Sequence, residues 1–278
     1  MTRRLARKPA AEPRLPRLPR RWAVGGAALG ALAGLLCFAP ARWLAQGLSQ
    51  SSQEHLLLAD AQGSVWNGSG VLVLQGGPGS RDAASLPGRL AWQIGLDGLQ
   101  PVLRLRQDCC INGTLTLRLQ PGWGRLRLDL PAQDQWLARV PAAWLGGLGT
   151  PWNTLQLSGS LRLSARQLSL QYQGGHWQQQ GQLDFDLVNI GSRVSTLAPL
   201  GSYRLSLLGD PQQAGLTRLQ LQTLDGALQL QGQGSVGDAQ RLQFQGEASA
   251  APGRETALNN LLNIIGRRQG ARSVITIG

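Results

Sequence analysis

The stretch Leu115-Thr-Leu-Arg-Leu-Gln-Pro-Gly-Trp-Gly-Arg-Leu-Arg-Leu-Asp-Leu130 decides the fold. Leu115, Leu117 and Leu119 fall on one side of an extended chain, and Thr116 and Arg118 on the other. Leu126, Leu128 and Leu130 alternate with Arg127 and Asp129 in the same way. A period of two marks a strand with one buried and one wet face, because successive side chains of an extended backbone point in opposite directions. Gly122 and Gly124 between the two runs supply the residues a tight reversal needs.

The alternation recurs outward in both directions, in Leu161-Arg-Leu163, Leu168-Ser-Leu-Gln-Tyr172, Leu183-Asp-Phe-Asp-Leu187, Arg204-Leu-Ser-Leu207, Leu219-Gln-Leu221 and Leu228-Gln-Leu-Gln231. Turn-forming residues separate the runs at hairpin spacings. Helical periods between strands are nearly absent, which argues against an α/β enzyme. The expected fold is mainly β: a large, curved, antiparallel sheet over roughly residues 60–250. Two stretches break the pattern. Pro131–Leu148 carries Trp136, Leu137, Val140, Trp144 and Leu145 at helical spacings, interrupted by Pro141. Thr256–Arg268 places Leu258, Leu261, Leu262 and Ile265 on one helical face, and Val274-Ile-Thr-Ile277 reads as a last short strand. Trp66, Trp123 and Trp177 each lead into an alternating run, an echo that would suit stacked β units.

The N-terminus differs from the rest. Residues 1–21 hold eight basic side chains, among them Arg20 and Arg21, and one acid, Glu12, so this arm carries +7 of the formal net charge of +12 and leaves +5 for the remainder. An uncharged run of Ala, Gly, Leu and Val follows, bounded by Trp22 and Trp43. A basic arm (1–21), an apolar anchor (22–41) and a large domain (42–278) read as a single-pass membrane protein, with the arginines held in the cytoplasm and the domain exported. A cleaved signal peptide, with Ala39-Pro-Ala41 as a small-residue site, is the alternative. Both place the domain outside the cytoplasm. The domain's arginines are scattered along the sequence rather than clustered with aromatics, which speaks against nucleic-acid binding and for a solvated strand face.

Catalytic chemistry has few candidates. His55 and His176 lack the partners of a serine hydrolase or a zinc protease. Asp184 and Asp186 point the same way from one strand, a geometry open to a glycosidase pair or a metal but more simply a wet face. No cofactor or metal is expected. Cys109 and Cys110 are adjacent, and both a vicinal disulfide and free thiols remain open.

Several strings occur in order: Gly63-Ser-Val-Trp-Asn-Gly68, Leu90-Ala-Trp-Gln93, Val140-Pro-Ala-Ala-Trp-Leu145, Pro199-Leu-Gly-Ser-Tyr-Arg-Leu205, Thr223-Leu-Asp-Gly-Ala-Leu-Gln-Leu-Gln-Gly232 and Leu261-Leu-Asn-Ile-Ile-Gly-Arg-Arg268. Together they resemble the type II secretion system protein N family. That resemblance implies a non-enzymatic inner-membrane component with a periplasmic β domain, working beside other inner-membrane platform proteins in the export of folded proteins. Trp66, Trp92, Trp123, Trp144, Tyr203, Leu261 and Leu262 are then the candidate interaction or core positions. The Gly-x-x-Trp-x-Gly string ahead of amphipathic strands also resembles the bridge-like lipid-transport proteins related to AsmA, which implies an apolar groove for membrane lipid.

Overall fold

A computed structural model describes residues 20–131, 135–209, 215–237 and 242–278. The basic residues 1–19 lie outside them. Contacts divide the chain at Ala39–Pro40. The first unit holds helix α1 (Arg20–Cys37). Its apolar side chains, including Val24, Leu29, Leu32 and Leu35, are exposed. Among the described residues, no helix is long and apolar enough to cross a membrane. In α1, two arginines and the glycines at 25, 26, 30 and 34 dilute the hydropathy.

The second unit is dominated by one antiparallel sheet. Its main path runs β1 (Leu56–Gly63), β2 (Asn67–Gln75), β4 (Leu90–Asp97), β5 (Gln100–Arg106), β6 (Thr114–Gly122), β7 (Arg125–Asp129), β9 (Leu157–Gln173), β10 (His176–Ser192), β11 (Gly201–Gly209), β12 (Thr217–Gly226), β13 (Leu228–Val236), β14 (Leu242–Ala250), β16 (Arg272–Ile277) and β15 (Arg267–Gln269). The short β3 (Ala83–Ser85) pairs with β2, and β8 (Ala138–Pro141) with β9, which a one-turn helix α3 (Trp152–Leu155) precedes. Nearly every strand follows its predecessor in space, as hairpins of alternating sequence must.

Register carries the alternation across the sheet. Leu115 and Leu117 lie opposite Leu105 and Leu103, and Leu119 opposite Leu128. Leu163 faces Phe185, Phe185 faces Leu205, and Leu205 faces Leu221. These side chains form one continuous apolar face, and polar partners fill the other. The longest hairpin, β9–β10, keeps its faces through a bulge in which Gln167 (φ 49°) and Gly181 (φ 83°) take left-handed conformations. A Cβ on Gly181 would run into the Gln167 carbonyl, so only glycine fits there.

Three clusters cover the apolar face in sections. Helix α2 (Ala41–Ser51) lays Ala41, Leu44, Ala45 and Leu48 over Leu58, Trp92, Leu103 and Leu105. Leu130 and Leu137 cover Ala165, Leu168, Leu115 and Leu117. Helix α4 (Glu255–Ile265) buries Leu258, Leu261 and Leu262 against Ile190, Leu200, Tyr203, Leu228 and Ala248. Its place matches the amphipathic pattern at 256–268.

Two expectations need correction. The helical spacings of 131–148 yield instead β8 followed by a 3-10 helix over Ala142–Leu148. Backbone pairing of Arg139 and Val140 with Arg162 and Leu161 wins, and Pro141 blocks a longer helix. The tryptophan echo does not mark stacked units: Trp66, Trp123 and Trp177 belong to separate hairpins of a single sheet, with unequal numbers of strands between them.

Candidate functional site

The polar face carries arginines and aspartates of the sheet. Arginines far apart in sequence meet through register: Arg118 stands opposite Asp129, Arg139 opposite Arg162, and Arg162 opposite Asp186, which faces Arg204. The scatter seen in the sequence thus becomes one arginine-bearing face.

Asp184 and Asp186 do project together, as their spacing requires, and both are nearly buried (3% and 7% exposed). Each is already engaged. Asp184 accepts hydrogen bonds from the Ser206 hydroxyl (2.6 Å) and the Gln182 amide (2.8 Å). Asp186 is held by two guanidinium nitrogens of Arg204, at 2.6 and 3.0 Å. The Asp186 hydrogen bond in turn raises the Arg204 pKa above its ordinary value. Such a fork leaves little carboxylate capacity for a substrate or a metal. No group of three His, Cys, Asp or Glu side chains is arranged to hold a metal among the described residues. The Nε of Arg162 is buried without a hydrogen-bond partner. His55 is exposed, with Nδ1 3.0 Å from the Ser52 carbonyl. The side chain of His176 lies outside the described part.

The remaining sequence-derived positions separate into two groups. Trp92 is core, its indole N–H directed at the Ser64 and Val65 carbonyls (3.2 and 3.1 Å). Trp144 is half-buried and donates to the Ala84 carbonyl at 2.9 Å. Tyr203 is core and donates to the Leu228 carbonyl at 3.1 Å, and burial raises its pKa. Leu261 and Leu262 are core as well. Trp66 and Trp123 instead sit exposed at hairpin turns. Of the anchor flanks, Arg20 and Arg21 open α1, while the side chains of Arg20 and Trp22 lie outside the described part; Trp43 is exposed within α2.

Cys109 and Cys110 are joined by a disulfide in the β5–β6 loop. The Arg139 N–H donates to the Cys110 carbonyl at 2.7 Å, which docks this loop onto β8. Sequence left the bond open because neighbours on a strand point apart; a turn at 107–110 removes that obstacle.

The family model for type II secretion system (T2SS), protein N, matches residues 54–275. The chain belongs to this family. The match runs from just before β1 into β16, so it covers the sheet, α4 and the arginine face. Membership makes the chain a component of type II secretion, and its work protein transport. No curated protein matches the chain significantly. No solved structure does so either.

Proposed function

We propose that this chain is a non-enzymatic inner-membrane component of the secretion system, with its sheet in the periplasm, where contacts with other platform proteins assist export of folded cargo. The carrying observation is that the family match spans the sheet while its best catalytic candidates are engaged: Asp184 by Ser206 and Gln182, Asp186 by Arg204. The basic arm, the uncharged run after it and the exposed apolar surface of α1 support anchoring through residues 22–41.

Two experiments test this. A reporter fused after Gly278 is active only where an exported reporter works; cytoplasmic activity there overturns the topology. Asp184→Asn and His176→Ala leave cargo export near the wild-type level at equal protein abundance. Lost export in either variant would point to an enzyme.

The lipid-groove reading has one observation in its favour: Leu205, Leu207, Leu219 and Leu221 are only half-buried on the apolar face. An open hollow of about 1160 Å³ is bordered by Arg218, Gln220, Gln222, Gln231, Gln233 and Gln245, and also by Leu208, Leu219, Leu221 and Val274. Register puts the arginine and the five glutamines on the polar face. Altered outer-membrane lipid with normal export in a deletion strain would favour the groove.

A further inference from the structure

Antiparallel pairing sorts the ends of the strands into two rims. One rim carries the β1–β2, β4–β5, β6–β7 and β9–β10 turns, the start of β14 and the end of β16. Large apolar side chains are exposed on it at nearly every described step. Trp66 is at the first turn, Leu96 and Leu99 at the second, Trp123 at the third, Trp177 at the fourth, and Leu242 and Ile277 at the strand ends. Leu99 is 97% exposed and Trp123 104%, so neither supports the fold by packing. The opposite rim carries the disulfide loop and the β12–β13 turn, where Leu224 is exposed, and on that side Ile264 of α4 is exposed as well.

Turns ordinarily hold Gly, Asn, Asp or Ser, because these residues accept the backbone conformation and stay hydrated. A tryptophan between Gly122 and Gly124 meets neither need. The aromatic groups also adjoin one another. The Tyr172 and Trp177 rings lie 5.1 Å apart, and pairing of Arg125 with Gln173 brings the Trp123 turn beside theirs. Contiguous exposed apolar surface of this kind marks a contact with something other than water.

The place where the chain joins the domain indicates what that is. Pro40 pairs with Ser64, two residues from Trp66, and α2 descends from there. The apolar rim is therefore the one at which the chain enters the domain, at Pro40.

We infer that this rim contacts the lipid bilayer, its turns seated in the interfacial layer of the membrane that holds the N-terminal segment. Tryptophan favours that layer because its ring is apolar and its N–H can still meet water or headgroups. The exposed Arg125 beside Trp123 suits anionic headgroups. The strands then stand end-on to the membrane, with α4 and the disulfide loop on the far side. This inference rests on the anchored reading given above.

The test uses the full-length chain in vesicles of phosphatidylethanolamine and phosphatidylglycerol. Benzoylphenylalanine replaces Trp123, Leu99 or, on the far rim, Leu224; all three side chains are exposed, so the fold is retained. After irradiation, mass spectrometry identifies the adducts. Lipid adducts at positions 123 and 99, and none at 224, are expected. Adducts to protein at 123 and 99 would assign the rim to a protein partner and overturn the inference. So would equal lipid labelling at 224, or no adduct at any position. Alkaline carbonate extraction of the same vesicles separates the two failures. A chain that resists extraction without lipid adducts keeps its anchor and loses the rim contact; a chain that is extracted loses both.

Discussion

Tyr203 shows how a single side chain ties the sheet to its covering helix. Its ring belongs to the cluster that holds Leu258, Leu261 and Leu262, and its hydroxyl donates to Leu228 across two strands. Tyr203→Phe removes that bond at a cost of about 1 kcal/mol near neutral pH. Burial raises the folded pKa above the unfolded value of about 10, so ionisation favours the unfolded chain. The tyrosine's contribution is therefore complete below about pH 10 and declines as pH rises further. Urea midpoints for wild type and Tyr203→Phe should converge between pH 8 and pH 10.5; a gap that widens with pH would contradict the burial argument. Tyr203 was legible as important from its Pro-Leu-Gly-x-Tyr string, but not its hydroxyl partner, which lies 25 residues away.

Helix α4 was the element most fully legible before the structure, since four leucine and isoleucine positions at helical spacing permit one reading. Leu258, Leu261 and Leu262 are 0%, 2% and 1% exposed. Replacing Leu261 and Leu262 together by Asp places two carboxylates in that contact, at a cost of roughly several kcal/mol. Loss of folded protein, seen as a lowered melting temperature and rapid proteolysis, is the expected result, and export should fall with it. A stable, secretion-competent double variant would mean that α4 is not needed to hold the sheet. Helix α2 has the same logic in weaker form. Ala41, Leu44, Ala45 and Leu48 give it a stripe, but two alanines and a neighbouring apolar run hid that stripe in the sequence.

Across the whole molecule, stability should be graded along the sheet. The 17-residue strands β9 and β10 pair with each other and with neighbours on both sides, whereas β1 and β15 are edges. Amide exchange should be slowest in β9–β10 and fastest in β1 and β15, because opening an edge exposes less buried surface. Uniform protection from β1 to β15 would show a single cooperative unit instead.

The strand periods, the terminal amphipathic helix and the family resemblance were all present in the residues themselves, because alternation and helical spacing are local properties of a chain. Which arginines share a row, that Asp184 and Asp186 are engaged, that β8 replaces a helix, and that the exposed aromatic turns gather on one rim with the point of attachment were decided only by the tertiary structure. Strand pairing joins residues whose separation along the chain carries no periodic signal, and register alone sets which of them meet.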